Sequence, residues 1–409
     1  MQTEVKGRIA EAWQEQGRHH CELIKGAKSY LLRTENPEIA RSLQVGKIVH
    51  VRASSDGIIA HLETLGGPQE GCWNPLSDAL RWQRSSRNHS LLARQTIIQT
   101  VREDLYSEGF FEADTPLLVK GTCPDSNIGS LELEGGYLVT STEYQIKRLI
   151  VGGFEKVFTL TKNFRAKDQG RFHSIEFTML EWARAYESLH AIEEDALRFI
   201  RKAFSRLYPD KHTLHFNGHE IDFMGRPWQR FSVREALEKY LGMKNVADFA
   251  LEPLAQSAKE ANVAIPPQFL ADKYSTITYL LDRLQSHLGI ETPTFLQEWP
   301  KYLTTSAPMS KKDPDAAERS ELYIGGVEVA DGFPFLTDPH LQRELFLEEL
   351  ERRKAEGIPL VSLDDQYLQA LEQGLPPGAG MALGLDRLVM ALTGKSSLAE
   401  VQAFSWDEL

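Results

Sequence analysis

NFRAKDQGRFHSIEFTMLEWARAY, residues Asn163 to Tyr186, is the stretch on which the fold turns. If Ser174 to Ala183 is a strand, alternate side chains share a face. Phe177, Met179, Glu181 and Ala183 then line one surface, with His173 at its entrance. A flat aromatic, a carboxylate and the nearby Arg165 are the groups needed to stack a base, hold an amine and neutralise a phosphate. On this segment alone, an amphipathic hairpin with solvated charges fits equally well.

Two further segments point the same way. In Glu321-Leu322-Tyr323-Ile324-Gly325-Gly326-Val327-Glu328 the Gly-Gly pair predicts a two-residue hairpin turn. Ile324 then faces Val327, Tyr323 faces Glu328 and Glu321 faces Ala330, which makes Glu321 and Glu328 diagonal neighbours roughly 7 Å apart. Two carboxylates so placed suit a shared Mg²⁺ that also binds phosphate oxygens; two exposed edge charges are the plainer alternative. In GAGMALGLDRLVM, Gly378 to Met390, small residues such as Gly384 let backbone approach a ligand before a helix starts at Asp386. Arg387 falls in that helix's first turn, where the helix dipole disfavours a cation, so it calls for an anion or an aromatic face unless it is a plain surface arginine.

Outward from these segments, Arg94 opens a predicted helix with Ile97, Val101 and Leu105 in a stripe, stopped by Gly109. Phe110 to Leu118, Tyr137 to Thr140 and Lys156 to Phe164 read as extended, and Ser188 precedes a helix carrying Ile192, Ala196, Phe199, Ile200 and Ala203 on one face. Residues 209–300 read as helical segments mixed with loops. The first 75 residues read as short strands at Glu4 to Ala12, Val45 to Ala53 and Ile58 to Leu65, a small OB-type β-domain, with a turn-rich linker around Gly66 and Pro75. Strands and helices without regular βαβ alternation predict an α+β catalytic domain over 76–409 built on a largely antiparallel sheet.

Composition narrows the function classes. The net charge of −12 argues against a large nonspecific nucleic-acid surface. Apolar runs such as Met381 to Leu385 are too short to span a bilayer, and Met1-Gln2-Thr3-Glu4 leads into no apolar segment. Cys21, Cys72 and Cys123 form no CxxC pair, so a reducing cytoplasm is expected. His19-His20-Cys21 reads as a solvated polar run rather than a metal site.

The ordered motifs resemble the class II aminoacyl-tRNA synthetases of the lysyl, aspartyl and asparaginyl subgroup, with lysyl-tRNA synthetase and the elongation-factor-P lysine ligase nearest. Arg94 to Leu118, ending Thr115-Pro116-Leu117, is similar to motif 1. Phe164-Arg165 through Glu176-Phe177 is similar to motif 2, and Gly380 to Arg387 to motif 3. Thr142-Glu143-Tyr144, Lys147-Arg148-Leu149, Pro293-Thr294-Phe295 and Gly325-Gly326-Val327-Glu328 fall between them in family order. The resemblance implies ATP-dependent formation of an aminoacyl-adenylate, with Arg165 and Arg387 as the catalytic arginines. Arg165, His173, Phe177, Glu321, Gly384 and Arg387 would surround ATP, and Glu321 and Glu328 would hold Mg²⁺. Glu143 would take the α-amino group, and Glu181, Ala183, Asp331, Phe333 and Phe335 would surround the amino-acid side chain. It also implies a homodimer through the motif 1 region.

Departures from that pattern bear on the substrate. Lys167 stands where motif 2 has a glutamate, Ala183 where lysine-specific relatives have a tyrosine, Phe335 where they have a second carboxylate, and Asp331 where they have an asparagine. A buried ammonium lacking one partner is penalised by several kcal/mol, whereas a cation–π contact returns about 0.5–2 kcal/mol, so lysine fits poorly. Before the linker the only aromatics are Trp13 and Tyr30, too few for the stacking platforms of an anticodon-reading surface. A tRNA is the default acceptor, a protein or carrier the second reading, and a regulatory paralogue that binds an adenylate without catalysis the third.

Overall fold

A computed structural model describes residues 3–26, 28–68, 86–244, 246 and 248–408. The chain divides into two compact units, Met1–Leu92 and Ala93–Leu409. The expected boundary at 75/76 and the Pro75 linker lie outside the described residues.

The first unit is one antiparallel sheet of β1 (Thr3–Glu15), β2 (Arg18–Lys25), β3 (Lys28–Thr34), β4 (Ile48–Ala53) and β5 (Ile59–Gly66), in the order β3-β2-β1-β4-β5. An Arg33–Ile58 bridge joins its two margins, a closure compatible with the OB-type expectation. Strands β2 and β3 were not expected. His19-His20-Cys21 is part of β2 rather than a solvated run: Cys21 is fully buried beside Leu23 and Val51, and burial pushes its thiol up to about 12. His20 stacks on Trp13 across the β1–β2 pair at 5.3 Å.

The second unit is built on an eight-stranded sheet. Its short early strands are β6 (Phe111–Glu112), β7 (Leu118–Val119), β8 (Glu132–Leu133) and β9 (Gly136–Leu138), followed by β10 (Lys156–Phe164) and β11 (Glu176–Ala185). Strands β12 (Thr213–Phe216), β13 (His219–Asp222), β14 (Gln229–Ser232) and β15 (Thr294–Pro300) come next, then β16 (Ala316–Ile324), β17 (Val327–Pro334) and β18 (Gly378–Gly384). The large sheet runs β14-β15-β16-β17-β18-β11-β10-β6; every neighbouring pair is antiparallel except β14–β15 and β10–β6. This is the α+β class that the sequence predicts. The segment 209–300, expected to mix helices and loops, also supplies two strands of this sheet.

Helix Leu189–Leu207 is capped by Ser188 and buries Ile192, Ala196, Phe199, Ile200 and Ala203, the stripe its spacing predicts. Helix Ser86–Ser107 starts eight residues before Arg94, and its Ile97, Val101 and Leu105 are fully buried in the chain's own core. That stripe is therefore unavailable to a partner subunit. Helices Glu143–Val151 and Asp365–Glu372 pack with Ala183, Phe335 and Tyr367 in a separate cluster beside the site. Among the described residues no helix is long and apolar enough to cross a membrane.

Candidate active site

Strand β11 lies between β10 and β18, and the registers carry one row of side chains across five strands. Glu321 pairs with Asp331, Asp331 with Ala382, Ala382 with Glu181, and Glu181 with Thr159. The next row on that face holds Phe333, Gly380, Ala183 and Val157. Neighbouring strands are about 4.8 Å apart, so three carboxylates project from one sheet face with small residues on β18 between them. A Cβ on Gly380 would come within 3.2 Å of the Ala183 side chain. A cavity opens over the middle of these rows, from Asp331 and Phe333 to Glu181 and Ala183, and is lined also by Glu143, Lys147, Arg165 and Phe335; Glu321, Thr159 and Val157 are not on its wall.

The hairpin differs from expectation by one residue. Ile324–Val327 and Tyr323–Glu328 pair as predicted, but a β-bulge between Leu322 and Tyr323 places Leu322 opposite Ala330 and Glu321 opposite Asp331. Arg319 answers the two adjacent acids. Its Nε and Nη2 donate to Asp331 at 2.9 and 3.1 Å, Nη2 also to Glu321 at 2.7 Å, and Nη1 to the Leu303 carbonyl at 2.9 Å. The Tyr323 hydroxyl donates to the other Glu321 oxygen at 2.5 Å. Burial pushes the Glu321 carboxyl well above its usual range despite Arg319, with the Glu328 charge adding to the shift, and burial raises Asp331 likewise. Glu321, destabilised as an anion and within reach of the Glu328 charge, is a fitting donor for a hard divalent cation. Among the described residues no group of three His, Cys, Asp or Glu side chains gathers as a metal cage.

At the nucleotide end, Arg165 lies over the Phe177 ring at 5.4 Å, and its Nε–H is buried without a partner. Arg387 is the third residue of helix Leu385–Thr393, which Gly384 leads into. It donates to the Phe172 and Glu328 carbonyls at 3.1 and 2.8 Å and approaches the Glu328 carboxylate at 3.5 Å. These acceptors answer the cation that the helix dipole disfavours. His173 Nε2 lies 2.9 Å from Arg387, and burial together with that guanidinium lowers its pKa. Asp386 fixes the corner by accepting from the Thr178 amide at 2.7 Å and from Arg94 at 2.5 Å. Lys167 sits in the left-handed region at φ 68°, in the loop between β10 and β11 and away from the cavity wall.

At the amino-acid end, Glu143 accepts from Lys147 at 2.6 Å across one helical turn. The Lys147 ammonium is buried and lies 5.5, 5.6 and 5.8 Å from the rings of Phe333, Phe335 and Tyr367. Glu181 accepts from the Ser141 hydroxyl at 2.5 Å, from the Thr142 amide at 2.5 Å and from the Thr142 hydroxyl. Burial still raises its pKa. The structure thus gathers Glu143, Glu181, Ala183, Asp331, Phe333 and Phe335 round one cavity, with Arg165 on its wall. Sequence reasoning missed Arg319 and Lys147 as site residues. Both carried a signal: Arg319 is two residues from Glu321 on one strand and so shares its face, and Lys147 is four residues from Glu143 on one helix.

The family model of class II tRNA synthetases (D, K and N) matches residues 77–408. The elongation factor P--(R)-beta-lysine ligase of Salmonella gallinarum is 32% identical over 346 residues, covering 81% of this chain and 99% of the relative. The ligase of the same name from Photorhabdus laumondii is 33% identical over 345 residues with the same two shares. The chain belongs to the class II tRNA synthetases of the D, K and N group and is an ATP-dependent ligase of the aminoacylating type.

Proposed function

We propose that the protein joins an amino acid to AMP in this cavity and passes the acyl group to a protein rather than to tRNA. What supports the first half most directly is the buried, unpartnered Nε–H of Arg165 on the cavity wall. An unpaired buried donor costs about 1–3 kcal/mol, and an anionic ligand removes that cost. In this reading Arg165 binds both the substrate carboxylate and the α-phosphate, and Glu143 takes the amino group. His173 faces the outer phosphates, Phe177 and Arg387 hold the adenine, and Gly384 leaves room beside it. The substrate carboxylate oxygen attacks the α-phosphorus, the bond to the β-phosphate oxygen breaks, and pyrophosphate leaves. The nucleophile is already ionised, so no general base is needed; alignment and fixed positive charge do the work. Glu321 and Glu328 would hold Mg²⁺, which neutralises phosphate charge when bound.

Two observations favour a protein acceptor over the tRNA default. The relatives just described are named for elongation factor P, and among the described residues of the N-terminal unit Trp13 is stacked on His20 and Tyr30 packs against that unit's core. A homodimer formed through the exposed Phe111, Phe154, Leu117 and Leu118, and residence in the cytoplasm, complete the reading. The deciding experiment supplies ATP, a labelled amino acid and either elongation factor P or total tRNA. Label on the protein alone is expected, and label on tRNA alone would reverse the choice of acceptor.

A further inference from the structure

One wall of the cavity has no strand ladder to hold it. Gly121, Thr122, Cys123, Asp125 and Ile128 line that wall, and none of them belongs to a strand or a helix. The stretch is held instead by helix Pro339–Ala355 and the chain just after it. Arg353, near the end of that helix, is buried, and its partners are four carbonyl oxygens. Nε donates to Pro124 at 2.7 Å, Nη2 to Asp125 and Ile128 at 2.8 and 2.6 Å, and Nη1 to Pro359 at 2.7 Å. One turn earlier on the helix, Glu349 accepts from the Ser126 amide at 2.9 Å, and the Thr122 amide donates to the Ser362 carbonyl at 2.9 Å. Among the described residues no carboxylate pairs with the Arg353 guanidinium. Burying an arginine without one is unfavourable, and an apolar side chain of similar volume would avoid the penalty. What Arg353 contributes in return is a fixed position for the turn from Pro124 to Ile128.

That turn carries Asp125, whose carboxylate is only half used. Oδ1 accepts from the Asn127 amide and side chain at 2.8 and 3.1 Å, while Oδ2 has no partner and no cation pairs with the group among the described residues. Glu143, on the same cavity, accepts from Lys147 through Oε1 and leaves Oε2 open. The two acids converge on Cys123, whose thiol is pushed up to about 12 by burial, with the charges of Asp125 and Glu143 adding to the shift. Lys147 balances one of those two charges, so the pair retains one negative charge to offer a single ammonium. We infer that Asp125 is a substrate-binding residue, accepting through Oδ2 from the amino group nearest the substrate's carboxylate, and that Arg353 is the positioning residue that holds Asp125 there. The inference rests on the reading that this cavity takes an amino acid. An ammonium carries three N–H donors, so it can serve Glu143 and Asp125 together. An acid on an untethered loop would lose affinity to the ordering of that loop, and the buried guanidinium removes that freedom before the ligand arrives.

The test uses the full chain and two readouts. ATP–pyrophosphate exchange and calorimetric binding without ATP are screened with the common amino acids and β-lysine. The compound giving most exchange, or failing exchange the tightest binding, is carried into each variant. Asp125→Asn should raise the KM or Kd of that compound about tenfold or more, the weight of one charge-assisted contact, with kcat and the KM of ATP within about twofold of the parent. Arg353→Met should raise the same constant about fivefold or more, and Arg353→Lys, which keeps a buried donor, should recover part of the loss. Because both residues act through one carboxylate, the double variant should be no more than about threefold worse than Asp125→Asn alone. If Arg353→Met does not fold, Glu349→Ala, which frees the same turn at Ser126, takes its place. The analogue with a hydroxyl for the amino group nearest the carboxylate should lose no more than about threefold in Kd on Asp125→Asn. An unchanged constant in Asp125→Asn would overturn the binding role, and an equal loss for the analogue would overturn the amino-group contact. Losses that multiply in the double variant would overturn the positioning role of Arg353. The expected losses in binding without any exchange would overturn adenylate formation and leave the inference standing. No binding of any of these compounds would overturn both.

Discussion

Arg165→Ala separates chemistry from folding because this side chain has so few contacts within the protein. Its Nε–H has no partner, and its one aromatic contact is the 5.4 Å approach to Phe177. Removing that contact costs about 0.5–1 kcal/mol, and for a unit of this size that corresponds to a fall in melting temperature of about 1–4 °C. The same deletion removes a fixed donor from the place where charge builds on phosphorus, and one such donor contributes about 2.7–4 kcal/mol, or 10²–10³ in rate. Pyrophosphate exchange at saturating ATP should therefore fall at least 100-fold while the melt barely moves. Arg165→Lys keeps the charge but loses the planar fork, so it should fall between the two, about tenfold down. Exchange within threefold of the parent in a folded Arg165→Ala protein would refute the placement of the reacting carboxylate and phosphate at this wall. A melt lowered by 10 °C or more would instead show that Arg165 is structural.

Glu321→Gln and Glu328→Gln should each shift the Mg²⁺ titration of exchange to higher concentration by about tenfold, and an unchanged titration rejects the metal assignment. Glu321 also predicts a pH signature. Its folded pKa lies above the usual 4.5, so the folded state holds more protons than the unfolded state between 4.5 and that raised value. Stability without metal must therefore fall as pH rises across the window; Glu321→Gln should flatten that slope in melts from pH 4.5 to 8, and an equal slope in both proteins contradicts the burial argument. Light scattering at micromolar concentration should report a dimer, and Phe111→Asp should shift it toward monomer; a monomeric parent rules out the proposed interface.

Much of this site was legible because two periodicities are hard to disguise. Alternation along β11 placed Glu181 and Ala183 on one face, and the Gly-Gly pair at 325–326, both at positive φ, fixed the β16–β17 turn. The same hairpin shows where pattern reading stops. The bulge adds Val329 on the β17 side, so counting one for one back from the turn put Glu321 opposite Ala330, one residue short of Asp331. Strand β15 was hidden for another reason: its Phe295, Leu296 and Trp299 are all buried, so they show no polar face. Lys147 carried only the i,i+4 spacing from Glu143 as a signal, because nothing local says that a lysine on an amphipathic helix turns inward. Only the tertiary placement of Phe333, Phe335 and Tyr367 around it decides that.

The row of acids also explains why one sheet face can serve two chemistries. Glu321 and Asp331 stand on adjacent strands and share Arg319, while Glu181 stands two strands further on, beyond Ala382. At about 4.8 Å per strand, that places one acid pair and one single acid about 10 Å apart, with a methyl group between them. Had β18 carried a large side chain at 382, the cavity floor would be filled and the two ends would be separate pockets. With alanine there, the row has room in the proposed reading for a ligand across it, its charged phosphates toward Glu321 and Glu328 and its amino acid toward Glu143 and Glu181. The two ends are also neutralised by different means. Arg319 leaves Glu321 partly uncompensated, so that end favours an added cation. At the other end hydroxyl and amide donors satisfy Glu181, and Lys147 pairs with one Glu143 oxygen.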